Sequence, residues 1–158
     1  MAVIFGSMES DNDVWHGPKD ENGLPHGEGI LVMEIGGKAY GTWVHGKQQG
    51  YGRVEFDTGT VYEGDIADDM YNGKGKIVSA DSTYEGDWVD DQPHGFGTMT
   101  DYWGDVYVGE FDQGQYNGQG KLTCADGAIK EGYWEDGELV TATTDIPPKR
   151  YSIKDLWP

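Results

Sequence analysis

The side chains able to carry chemistry are few in kind. Four histidines (His16, His26, His45 and His94) and a single cysteine, Cys124, supply every imidazole and thiolate ligand in the chain. None stands at a zinc-site spacing, so no metal and no cofactor is expected. His26 and His94 each precede a glycine, in a slot that Gln49, Asn72 and Asn117 fill at other points along the chain. A slot that accepts His, Asn or Gln reads as a hydrogen-bonding turn position. Carboxylates number 29, so acid pairs at glycosidase-like separations arise by chance. Glu63, Asp65, Glu85, Asp87 and Glu110 read as a ladder on one face, solvating a sheet and blocking edge pairing. Weak calcium binding is the rival, but Asp11-Asn12-Asp13 and the turns at Asp57 and Asp126 lack an EF-hand pattern. No phosphate loop, dinucleotide fingerprint or nucleophile elbow is present. Catalysis is not expected.

The elements that must position these groups announce themselves through the 26 glycines. One column is Gly41, Gly64, Gly86, Gly109 and Gly132, at separations of 23, 22, 23 and 23. A second is the Gly-x-Gly pair, at 27/29, 50/52, 73/75, 95/97 and 118/120, which begins 9 residues after the first column wherever both occur. Two residues before the first column stand Tyr62, Tyr84 and Tyr107, and two after it Trp43, Ile66, Trp88, Phe111 and Trp134. Leu31, Val54, Ile77, Met99 and Leu122 follow the pair, and then a turn-like cluster such as Asp57-Thr58-Gly59 or Asp126-Gly127. A fixed period of this size marks a repeat architecture.

One unit, Tyr84-Glu85-Gly86-Asp87-Trp88 with His94-Gly95-Phe96-Gly97-Thr98-Met99, resembles the MORN motif (membrane occupation and recognition nexus). The resemblance covers roughly residues 15–140 as five units and a C-terminal half unit. It implies an adaptor of the cytoskeleton, cilia or membrane junctions. Gly23-Leu24-Pro25-His26-Gly27 and Val44-His45-Gly46 also resemble the N-terminal MORN region of a SET-domain lysine methyltransferase. The 18 residues after 140 are too few for that family's cofactor site.

Aromatic, glycine and aromatic at alternate positions is the period of a strand, with Glu85 and Asp87 opposite Tyr84 and Trp88. Asp90-Asp91-Gln92-Pro93 reads as the tip that reverses the chain. Glycine weakens a strand interior, so its regular use there needs a cause. The expected one is a ring from a neighbouring unit lying flat on each glycine. One hairpin cannot bury its own apolar face, whereas a stack can. The expectation is therefore all-β: a twisted, grooved, single-layer antiparallel β-hairpin solenoid of about 11 strands and roughly 50 Å. The 22-residue spacing and the missing turn glycine at Asp81-Ser82 predict an irregularity near residues 79–84. Residues 1–14 read as an N-terminal extension, of which 1–8 look like cloning sequence. Residues 141–158 read as a linker with Pro147-Pro148. A short C-terminal cap or docking tail, started by Ser152 and running through Leu156-Trp157, would follow it.

A one-layer sheet leaves one side of an aromatic stripe open, and an open aromatic groove binds partners. Trp43, Tyr62, Tyr84, Trp88, Tyr107, Phe111 and Trp134 are the groove residues this reading selects, beyond their first role as stacking elements. The net charge of −18 disfavours nucleic acid and anionic lipid and favours a basic or amphipathic protein segment. Rods could pair with one another through their sheet ends or the C-terminal tail. The lone cysteine and the absence of a leader pattern point to the cytoplasm, reached at a membrane or the cytoskeleton through a partner.

Overall fold

The computed structural model describes residue 10 and residues 12–147. Those residues form one antiparallel sheet of 12 strands in chain order, with no helix among them. The strands are β1 Val14–His16, β2 Gly27–Val32, β3 Gly37–Val44, β4 Lys47–Phe56, β5 Val61–Ala67 and β6 Met70–Val78. There follow β7 Ser82–Val89, β8 Gln92–Asp101, β9 Val106–Asp112, β10 Gln115–Thr123, β11 Ile129–Glu135 and β12 Glu138–Ile146. Every strand pairs only with its neighbours in the chain, so the molecule is a stack of hairpins in one layer. The segment expected as a linker begins differently: β12 runs through residues 141–146, paired to β11. The expected cap lies outside the described residues, as does most of the N-terminal extension.

Two turn types alternate along the stack. On one side two-residue tips join the strands of each unit: His45-Gly46, Asp68-Asp69, Asp90-Asp91, Gln113-Gly114 and Asp136-Gly137, each with positive φ at both residues. That is the type I′ turn, whose twist suits a hairpin and whose αL positions Asp tolerates better than most side chains. On the other side longer turns close between a donor and an acceptor four residues on, as Phe56 N to Thr60 O at 2.9 Å and Cys124 N to Ala128 O at 2.8 Å. At Ser79 the same bond reaches only to Ser82, at 2.8 Å. The missing residue is the irregularity expected from the 22-residue spacing.

The glycines form a row across the sheet. Gly52 faces Gly64, Gly64 faces Gly75, and the pairing continues through Gly86, Gly97, Gly109, Gly120 and Gly132. A Cβ at Gly97 would stand 2.5 Å from Cε2 of Tyr84 and 2.6 Å from its hydroxyl. Tyr62 covers Gly75 and Tyr107 covers Gly120 in the same way, and Trp15 covers Gly29. The glycines are ring seats, but each ring belongs to the same hairpin as its glycines, not to a neighbouring unit. In the unit that has Ala39 in place of the tyrosine, Gln48 fills the seat over Gly41 and Gly52. It is the one buried polar residue among those described, and its Nε2 donates to the Tyr40 carbonyl at 3.0 Å.

The tyrosine hydroxyls reveal the shape of each strand. Tyr62 donates to the Asp65 carbonyl at 2.7 Å and Tyr84 to the Asp87 carbonyl at 2.7 Å, each three residues ahead in its own strand. Three residues of straight strand span about 10 Å, beyond a tyrosine's sideways reach. The strand must bend toward the ring at its glycine, where the pairing register also shifts in β5–β6 and β7–β8. The bend folds each hairpin around its own aromatic side.

Candidate functional site

The bend decides where the accessible surface lies. Trp43, Tyr62 and Tyr107 are 0% exposed, Tyr84 1%, Phe111 and Trp134 3% and Trp88 4%. The seven residues selected from the sequence are thus brought together, but as the interior. Tyr71 stacks on Tyr62 at 3.5 Å between centroids and Tyr116 on Tyr107 at 3.7 Å. Trp88 meets Tyr62 edge-on at 5.4 Å, Phe111 meets Tyr84 at 5.0 Å and Trp134 meets Tyr107 at 5.4 Å, so from β5 onward each hairpin is locked to the next through rings. Trp88 and Trp134 also donate their indole N–H groups to the Gly75 and Gly120 carbonyls, both at 3.0 Å. Burial raises the phenol pKa of Tyr62, Tyr71 and Tyr84, and pushes that of Tyr107 up to about 12. A single layer was expected to leave these rings half open. The bend at the glycines closes over them.

The open groove is on the other face. It has a volume of about 900 Å³ and a floor of Gly64, Gly75, Gly86 and Gly97, the reverse side of the ring seats. Tyr51 and Phe96 stand over it, 64% and 57% exposed, with Glu63, Lys74, Lys76, Glu85 and Thr98 along it. Tyr51 and Phe96 are the middle residues of Gly-x-Gly, a position that alternation directs away from the rings. That aromatic x at two of five pairs was the sequence signal for this surface. Most of the groove's charge is internally matched: Lys76 to Glu85 at 3.0 Å, Lys74 to Asp87 at 2.5 Å, and Arg53 to Glu63 at 3.3 Å. The Lys74 ammonium holds the Asp87 carboxyl below its usual range. Partial desolvation, and then the adjacent Glu63 carboxylate, raise the Tyr51 phenol.

The acidic ladder divides into two kinds. Asp65 and Asp87 accept the backbone N–H groups of Lys74 (2.9 Å) and Phe96 (3.0 Å) beside the positive-φ Gly73 and Gly95, so they bind the bulges. Glu110 takes the same place under Gly118, accepting from Gln119 N at 3.4 Å. Glu63 and Glu85 are the two that line the groove. A second row of acids works at the tips. Asp69 accepts from Gln48 N and Asp91 from Tyr71 N, both at 2.7 Å, tying each tip to the one before it. Among the histidines, the fold joins what the spacing kept apart: one ligand atom each of Asp20, His26 and His45 lies within 4.8 Å of the others.

Five consecutive segments of the chain, residues 21–38, 40–61, 62–83, 84–106 and 107–129, match the MORN repeat. The protein belongs to the MORN-repeat family. No curated protein matches the chain. The five MORN segments correspond to successive turns of this stack, and the hairpin of β11 and β12 extends it beyond the last match. MORN repeats serve generally as modules for protein or membrane interaction, and the proteins built from them are in general non-catalytic.

Proposed function

We propose that this MORN protein is a non-catalytic interaction scaffold, and that its docking surface is the glycine-floored groove opposite the ring stack. The observation that supports it most is the pair of exposed rings, Tyr51 and Phe96, above a floor without side chains. Exposed aromatics beside backbone are the usual anchors of interface energy. From β4 to β8 the groove crosses five strands, about 19 Å at the normal strand spacing. That length accepts about six residues of extended chain, or a helix of about 13 residues. The partner is a segment with apolar side chains for Tyr51 and Phe96, flanked by basic residues that the net charge of −18 attracts. The seven buried rings act on binding only by fixing the groove's shape. Anionic lipid fits less well, because Lys47, Arg53, Lys74 and Lys76 each already face a carboxylate.

The test is a peptide display selection on the full chain, followed by affinity measurement. Selected peptides should be basic and apolar, and should lose at least about tenfold in affinity to Tyr51→Ala or Phe96→Ala and nothing to Gln115→Ala. Equal affinity for all three variants would move the site elsewhere. Saturable flotation with phosphoinositide vesicles, unaffected by Phe96→Ala, would replace the protein partner with a membrane.

A further inference from the structure

The repeat contains a ladder of side-chain pairs at its tips. In the first three units the residue before the Gly-x-Gly pair meets the first tip residue of the next hairpin, whereas His94 meets Asp112, one residue short of its tip. Gln49 donates to Asp68 at 2.7 Å and Asn72 donates to Asp90 at 3.1 Å. Those rungs are donor matched to acceptor. At the first rung both positions are histidine: His26 and His45, with ring centroids 5.1 Å apart. Neither is an acid that could complete an amide's hydrogen bond; His26 Nδ1 accepts the His45 backbone N–H at a long 3.4 Å, and each ring has a nitrogen able to ligate. A third ligand is already fixed beside them. Asp20 Oδ1 accepts the backbone N–H groups of Asn22 (2.9 Å) and Leu24 (3.0 Å), while Oδ2 lies 2.7 Å from His45 Nδ1. Its side chain is only 6% exposed, whereas that of His45 is 67% exposed.

The backbone beneath this group is pinned. Asp20 N bonds to Leu24 O at 2.9 Å, His26 N to Pro18 O at 3.0 Å, and Gly46 N to Pro25 O at 2.8 Å. The loop carrying Asp20 and His26 and the tip carrying His45 therefore hold their places without a ligand, and only exposed imidazoles need to turn. Two imidazoles and one carboxylate, with solvent on the open side, are the donor set of a three-ligand zinc-type site completed by water.

We propose that Asp20, His26 and His45 bind one divalent transition-metal ion of the zinc class, which clamps the loop of residues 17–26 to the first repeat tip. Hard cations such as calcium, which prefer six or more oxygens, do not match this donor set. The site is independent of the groove on the sheet face.

The repeat itself supplies the variants for the test. His26→Asn installs the residue found at Asn72 and Asn117 in the same slot, and His45→Gln the residue found at Gln113. His94→Asn, at the equivalent slot beside Asp112, is the control. The untagged full chain is titrated with zinc alone by calorimetry at neutral pH, with cobalt absorption as a second readout and thermal melting as a third. The expected result is one ion per chain, a zinc-dependent rise in melting temperature, and at least about tenfold weaker binding in His26→Asn and in His45→Gln, with His94→Asn unchanged. Metal-free melting curves of the variants that overlay the parent's establish that the loss is not one of folding. The proposal is overturned by the absence of one-to-one binding, or by affinity that survives His26→Asn and His45→Gln. It is equally overturned by a melting temperature that ignores zinc, the result expected if the Asp20–His45 contact is only an ion pair.

Discussion

Substituting Gly97 tests the seating of rings on glycine most sharply. An added Cβ meets Cε2, the hydroxyl and Cζ of Tyr84 at 2.5, 2.6 and 2.7 Å. Tyr84 is 1% exposed, and its ring is hemmed by Trp88 at 5.1 Å and Phe111 at 5.0 Å, so it cannot swing away. Overpacking of this kind costs about 1–3 kcal/mol, and displacing the hydroxyl from the Asp87 carbonyl adds about 1 kcal/mol. Gly97→Ala should therefore destabilise the chain by about 2–4 kcal/mol. The decisive comparison is the same substitution in a Tyr84→Val background. Valine carries no atom beyond the γ carbons, so the three clashing atoms are gone. There Gly97→Ala should be neutral, or stabilising by about 0.4–1 kcal/mol, because alanine narrows the unfolded ensemble. A double-mutant cycle from urea unfolding, followed by tryptophan fluorescence, should return a coupling of at least about 2 kcal/mol. A cost for Gly97→Ala below about 0.5 kcal/mol, or an equal cost in both backgrounds, would refute the reasoning.

High pH should unfold the stack. Tyr62, Tyr71, Tyr84 and Tyr107 have folded pKa values raised by burial, so above about pH 10 the unfolded chain loses protons that the native chain keeps. Stability then falls with rising pH, by up to about 5 kcal/mol per pH unit for four such groups, and tyrosinate absorbance should rise together with the loss of circular dichroism. At the tips, Asp91→Ala removes the acceptor of the Tyr71 N–H and should cost about 1–2 kcal/mol, while Asp91→Asn, which keeps an oxygen and tolerates positive φ, should cost less than half as much by thermal melting. A glycine inserted after Asp81 restores the longer turn of the other units and should change stability by less than about 0.5 kcal/mol in urea unfolding.

The fold was readable because the repeat carries its own register. Twenty-three-residue spacing, alternate rings and glycines, and a turn one residue short at Ser79 each had a structural counterpart. What the spacing did not carry was the bend. A straight hairpin leaves the rings of Tyr62 and Tyr84 half exposed, whereas a strand bent at Gly64 and Gly86 buries them and turns the opposite face outward. The same omission hid Tyr71 and Tyr116. They stack on Tyr62 and Tyr107 from a slot that Gln48, Pro93 and Leu139 fill elsewhere, so no aromatic column betrays it. His26 and His45 are 19 residues apart, and only the pairing of a strand slot with the next tip makes them neighbours.

The account stands on which face of the sheet is open, and hydroxyl-radical footprinting of the native chain reads that residue by residue. Tyr51 and Phe96 should oxidise at rates comparable with the exposed Tyr102 and Trp103, while Tyr62, Tyr84, Trp88 and Tyr107 stay protected until the chain unfolds. Oxidation of Tyr84 and Trp88 as fast as Phe96 would contradict it, because the rings would then line the surface rather than lie beneath it.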